Sequence, residues 1–156
     1  MTVRERRELY AAFLDTATLV DIELRYAASM AETIHLAREK GVGLILSHHD
    51  FRRTPSLAKL RTLARRAREA GADIFKVAAM TYTARDLAVL MEFLASEKTR
   101  LPLSVMGMGA YGKVSRLVLA QTGSILNYGF LGTPNASGQW PVETLKLRLG
   151  EIMNDE

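Results

Sequence analysis

Lys76 interrupts an apolar run, Asp73-Ile74-Phe75-Lys76-Val77-Ala78-Ala79. Strand alternation puts it on one face with Ile74 and Ala78. Burying an ammonium there is costly, and shedding its proton relieves the cost. A neutral buried amine attacks carbonyls and forms Schiff bases. The same residue also reads as an edge lysine whose stem lies on the sheet while its head reaches water. Asp21 and Glu23 sit two apart in the strand-like run from Thr18 to Leu24, so they share a face. They can offset an inward lysine or move a proton, or they line an exposed edge.

His48, His49 and Asp50 close another apolar run. Adjacent strand residues face opposite ways, so the two histidines do not chelate together and no metal site is expected. One histidine at a strand's carboxyl end can act as a general acid and base, or serve as a plain hydrogen-bonded terminus. His35 lies among Glu32, Arg38 and Glu39 and reads as surface. Gly107-Met108-Gly109-Ala110-Tyr111-Gly112 matches a dinucleotide fingerprint. The next strand ends in Asn127-Tyr128-Gly129 with no acid to hold a ribose, so no nucleotide cofactor is expected. That loop can still take an anion at the helix start, with Arg116 one turn further in.

Alternating helices and strands must position these groups. Predicted helices run from about Thr2 to Asp15 (Tyr10, Phe13 and Leu14 on its apolar side) and from Ala27 to Lys40, capped by Gly41. The next has Thr54 as its cap, Pro55 at its first position and Gly71 at its end. Thr83 and Asp86 form a capping box for a helix through about Lys98. A short helix follows over Gly112 to Gln121, and Pro141 opens the last. Strands are predicted from Thr18 to Leu24, Val42 to Ser47, Asp73 to Ala79, Leu103 to Met106 and Ser124 to Tyr128. Six helices and five mostly apolar strands imply one α/β domain over residues 1–156, a parallel sheet covered by helices.

The chain has 156 residues, 48% apolar and 24% charged. That holds about five βα units and falls short of the roughly 200 residues a closed eightfold barrel needs. With no cysteine, thiol nucleophiles, thiolate metal sites and disulfides are excluded, which fits a cytoplasmic setting. No run is apolar enough to suggest a membrane span. Lys59, Arg61, Arg65, Arg66 and Arg68 have no interleaved aromatics and read as a solvated helix face rather than a nucleic-acid surface. The net charge of +4 suits a small anionic substrate.

Five segments resemble, in order, the type I 3-dehydroquinate dehydratases: Asp21-Ile22-Glu23-Leu24, Ser47-His48-His49-Asp50-Phe51, Phe75-Lys76-Val77-Ala78, Met106-Gly107-Met108-Gly109 through Ser115-Arg116, and Ala136-Ser137-Gly138-Gln139. The resemblance implies that Lys76 forms an imine with the ketone of 3-dehydroquinate and that His49 moves the proton of the dehydration. It implies that Arg116 holds the substrate carboxylate, and that Gln139, Met106 and Met108 line the site with Asp21 and Glu23 near the lysine. Asn135 stands where the family has a small hydroxyl residue. No cofactor is implied. The family fold is an eight-stranded TIM barrel, of which the chain matches the last five strands. The expected architecture is therefore a partial (β/α) barrel, five parallel strands in sequential order, lacking the first three. The absent strands supply the family's glutamate that orients the histidine. Open edges and a wall-less inner face imply a homo-oligomer or a complementing amino-terminal chain. A catalytically impaired module that binds a shikimate-pathway acid is the alternative. A doubly wound fold would instead show a reversal in strand order.

Overall fold

The computed structural model describes residues 2–96 and 101–153. Helix α1 (Val3–Phe13) starts on the Thr2 hydroxyl, which accepts the Glu5 N–H, while the Glu5 carboxylate accepts the Thr2 N–H. Strand β1 (Leu19–Glu23), helix α2 (Ala31–Glu39), strand β2 (Gly43–Asp50) and helix α3 (Leu57–Glu69) follow. Then come β3 (Ile74–Met80), α4 (Ala84–Ser96), β4 (Leu103–Met108), α5 (Gly112–Gln121) and α6 (Val142–Met153). All strand pairs are parallel and the order is β1-β2-β3-β4, without reversal. Sequential order is that of a barrel wall and rules out the doubly wound alternative.

Alternation divides the sheet into two unlike faces. Val20, Ile22, Leu44, Leu46, Phe75, Val77, Leu103 and Val105 point one way and join Ile34, Leu60, Leu63, Leu90, Phe93 and Leu119 of the helices in the main core. The other face carries Asp21, Glu23, Ser47, His49, Lys76, Ser104, Met106 and Met108, of which the two methionines form a second small cluster with Ala78. The five basic residues of α3 are all exposed, as its amphipathic spacing requires.

Several expectations are corrected. Ser124–Tyr128 is not a strand. It runs beside β4, but Ser124 Oγ takes the Val105 N–H and Ser104 Oγ binds the Leu126 carbonyl, so hydroxyls replace much of the backbone ladder. The sheet therefore has four strands. Helix α2 begins at Ala31 because Leu24–Tyr26 forms a separate 3₁₀ turn. Helix α3 is capped by Ser56, not Thr54; the Thr54 hydroxyl donates to the Met80 carbonyl and ties the β2–α3 loop to β3. Phe13 is 60% exposed, while Leu14 is buried as expected. The Thr83–Asp86 box is present, and the predicted end of that helix near Lys98 lies outside the described residues.

Candidate active site

Strand register fixes which polar groups meet. Glu23, Ser47, Lys76 and Ser104 form one row across the sheet. Asp21, Ile45 and Ile74 form the row below; His49, Ala78 and Met106 form the row above. Strands lie about 4.8 Å apart, so β1 and β3 are separated by roughly 10 Å with β2 between them. Lys76 Nζ nevertheless donates to Asp21 Oδ2 at 2.5 Å. Its stem must therefore pass over β2. Lys76 is 9% exposed, and the Tyr128 ring covers its head at 4.7 Å. Burial, and then the Asp21 charge, pushes the Tyr128 phenol above its ordinary pKa.

One row up, His49 Nδ1 pairs with Glu23 Oε1, and the Phe51 ring stacks on the imidazole at 6.0 Å. A carboxylate on Nδ1 fixes the ring and leaves Nε2 for proton exchange. The family's orienting glutamate was expected only from the absent strands, yet His49 has a carboxylate partner, Glu23, on a diagonal that only the strand register reveals. His48 points the opposite way, where burial lowers its pKa against the upward pull of Glu23 and Asp50. An open cavity of about 440 Å³ lies along this face at the β1 edge, bounded by Asp21, Glu23, Ser47, His49 and the α1 side chains Arg6 and Tyr10. The hollow of about 500 Å³ between α2 and α3 lies on the helix side, away from both ion pairs.

Arg116 is buried. Its Nη1 donates to the carbonyls of Gly107 (2.6 Å), Gly112 (3.0 Å) and Gly138 (3.0 Å), and Nε to Tyr128 (3.2 Å). Burial pulls its pKa down to about 10, which keeps it cationic at neutral pH. The glycines explain the loop that resembled a nucleotide fingerprint. A Cβ on Gly112 would meet Gly138 Cα at 2.7 Å, so the loop around Gly138 occupies the start of α5. Gly109 has φ +75° and donates its N–H to the Ser137 carbonyl. Gln139 Oε1 accepts the N–H groups of Asn135 and Ala136 and closes its own loop; the Asn135 side chain is exposed. Met106 and Met108 are buried beside Ala78, Met80, Tyr128 and Ala136.

The family model for type I 3-dehydroquinase matches residues 1–154. The chain belongs to that family. It is 35% identical to a catabolic 3-dehydroquinate dehydratase of Acinetobacter baylyi, over 94% of this chain and 56% of the relative. It is also 35% identical to a 3-dehydroquinate dehydratase of Geobacillus thermodenitrificans, over 98% and 61% respectively. The crystal structure of 3-dehydroquinate dehydratase from Geobacillus kaustophilus superposes with a TM-score of 0.92 at 30% identity, covering 100% of this chain and 62% of that one. A Clostridium difficile type I enzyme solved with covalent modified comenic acid gives 0.87 at 28% identity, covering 97% and 62%. The chain thus spans about three fifths of the length of these relatives.

Within this type I chain, the structure brings Lys76, Asp21, Glu23 and His49 onto one face, with Met106 and Met108 on the same side of the sheet. Arg116 of α5 donates to the Gly138 carbonyl in the loop that carries Gln139, and Ala136 of that loop packs against Met106 and Met108. Asn135 stands apart, held only by its backbone. Sequence reading did not single out Tyr128 against the lysine, Ser47 between the two ion pairs, or Tyr10, whose hydroxyl donates to the Asp21 carbonyl. The Ser47 signal was present in the quoted segment, since it lies two residues before His49 on the same face.

Proposed function

We propose that this chain carries the Schiff-base machinery of a 3-dehydroquinate dehydratase, eliminating water from 3-dehydroquinate to give 3-dehydroshikimate without a cofactor. The observation that carries the reading is the pair of ion pairs on one sheet face, Lys76–Asp21 and His49–Glu23, at adjacent rows. Lys76 adds to the substrate ketone, and the resulting iminium acidifies the neighbouring carbon. His49, steered by Glu23, takes that proton and returns one to the departing hydroxyl. Arg116 Nη2, which makes no hydrogen bond among the described residues, is the donor available to a carboxylate. Gln139 contributes its amide nitrogen, while Met106 and Met108 supply apolar contact. The covalent ligand in the Clostridium difficile relative supports covalent chemistry in this family.

A second copy of the chain, or a complementing amino-terminal chain, supplies the wall facing these residues. Exposed Leu9, Phe13 and Leu19 near β1 support association at that edge. Borohydride added to the chain with 3-dehydroquinate tests the reading: mass spectrometry is expected to find a reduced adduct on Lys76. Bound substrate without an adduct overturns it. The 21–32% exposure of Glu23, His49 and Asp21 side chains favours one second reading, a module that binds a small carboxylate and does not turn it over. Tight calorimetric binding without dehydration would mark that case.

A further inference from the structure

Ser47 Oγ is the one buried side-chain oxygen or nitrogen without a hydrogen-bond partner among the described residues. Ser47 is 1% exposed and sits between Glu23 and Lys76 in the strand register. Ser104 flanks Lys76 on the other side in the same row, but its hydroxyl is satisfied by the Leu126 carbonyl. The contrast is informative, because an unpaired buried hydroxyl is unfavourable and alanine would remove the problem. The lysine stem passes over β2 at this row to reach Asp21 in the row below. Ser47 therefore lies beneath the path that Nζ follows when it leaves Asp21.

We propose that Ser47 is a positioning residue for Lys76, its hydroxyl accepting the N–H that remains on the lysine nitrogen during imine formation. This rests on the Schiff-base reading above and deepens it. The Lys76 nitrogen bonds to the ketone carbon while the carbonyl electron pair moves to oxygen. Of the ammonium's three protons, two leave with that oxygen as water and one stays on the iminium nitrogen. No electrons are gained or lost. Once the nitrogen carries the substrate carbon, the bulk of the ring contests the reach down to Asp21. Ser47, in the lysine's own row, stays within the sheet beneath it. A hydrogen bond there holds the nitrogen in one orientation and leaves the carbon above it open to His49.

The test compares the full chain with Ser47→Ala, measuring kcat, KM, the rate of borohydride-trapped adduct on Lys76 and the melting temperature. We expect kcat and the trapping rate to fall about five- to tenfold with KM within about twofold, the loss of one hydrogen bond made after binding. The melting temperature is expected to stay level or rise, since the resting protein loses an unsatisfied group and no contact. Wild-type trapping with an equally fast S47A overturns the positioning role and leaves the Schiff-base reading standing. A melting temperature that falls together with activity makes the hydroxyl structural and also overturns it. No adduct in the wild type removes both.

Discussion

Lys76 on β3 reaches across β2 to pair with Asp21 on β1, so the ion pair clips together three of the four strands. The lysine is nearly buried, whereas the Asp21 side chain keeps 32% of its exposure. Asp21→Asn therefore leaves an ammonium with little water and no counter-charge. We expect it to lower unfolding stability by about 1–3 kcal/mol, less than for a fully buried pair because of solvent screening. Lys76→Met in the same background should recover part of that loss, and urea denaturation of the double-mutant cycle reads it. Equal, additive losses would show that the pair contributes nothing.

The His49–Glu23 contact yields a catalytic prediction. Glu23→Gln keeps a hydrogen-bonding group on Nδ1 but removes the charge that favours the imidazolium formed as His49 takes a proton. We expect kcat for dehydration to drop about 10- to 100-fold with little change in KM. Borohydride trapping on Lys76 should persist, since imine formation precedes the step His49 serves. Loss of trapping in E23Q would place Glu23 in lysine chemistry instead.

Arg116 holds four carbonyls drawn from β4, α5 and the loops at 128 and 138. Arg116→Met fills similar space with no donors, leaving those acceptors short of partners. A loss of about 3–5 kcal/mol is expected in chemical denaturation, with protease cleavage appearing first in the 128–140 loop. Gly112→Ala should open the same loop by a different route, because its Cβ would sit 2.7 Å from Gly138 Cα and backbone cannot yield as a side chain does.

How far these relationships were legible depends on their range. Alternation placed Lys76 with Ile74 and Ala78, and the βα periodicity implied a parallel sheet covered by helices, because both are local. The sequential, barrel-type strand order came from the family resemblance, since periodicity does not set which strands are neighbours. Glu23 meeting His49 was not legible, since the contact depends on the register between β1 and β2. Ser124–Tyr128 has the composition of a strand, yet Ser124 and Ser104 hydroxyls take positions a ladder would use, and composition does not reveal that competition. The spacing of Arg116 from the glycines was visible, while the loop that returns over Gly112 and gives Arg116 its carbonyl partners was not, because tertiary packing sets it.

His48 gives the pH prediction. Burial leads the causes that lower its folded-state pKa below the ordinary 6.5. Between the folded value and 6.5, the unfolded chain binds a proton that the folded chain does not. Stability from this residue is intact above 6.5 and declines as pH falls through that window, levelling off below the folded pKa. His48→Gln should therefore flatten the acid side of the stability profile, measured by urea midpoints across that range. An unchanged slope would mean that His48 titrates alike in both states.

The exposed apolar groups at the β1 edge give the last prediction. Leu19, 40% exposed, lies on an edge strand whose other side pairs only with β2, and Leu9 and Phe13 of α1 are 47% and 60% exposed. A parallel edge flanked by apolar side chains invites a second strand or chain. Sedimentation velocity should show a concentration-dependent dimer in the wild type. Leu19→Lys places a charge on that edge and is expected to shift the equilibrium to monomer by about tenfold or more in dissociation constant, the scale of one desolvated charge at a small interface. If the partner copy also walls the site, dehydration in L19K should recover as protein concentration rises. Activity that is low and independent of concentration, in a variant that remains folded, would separate the edge from the chemistry.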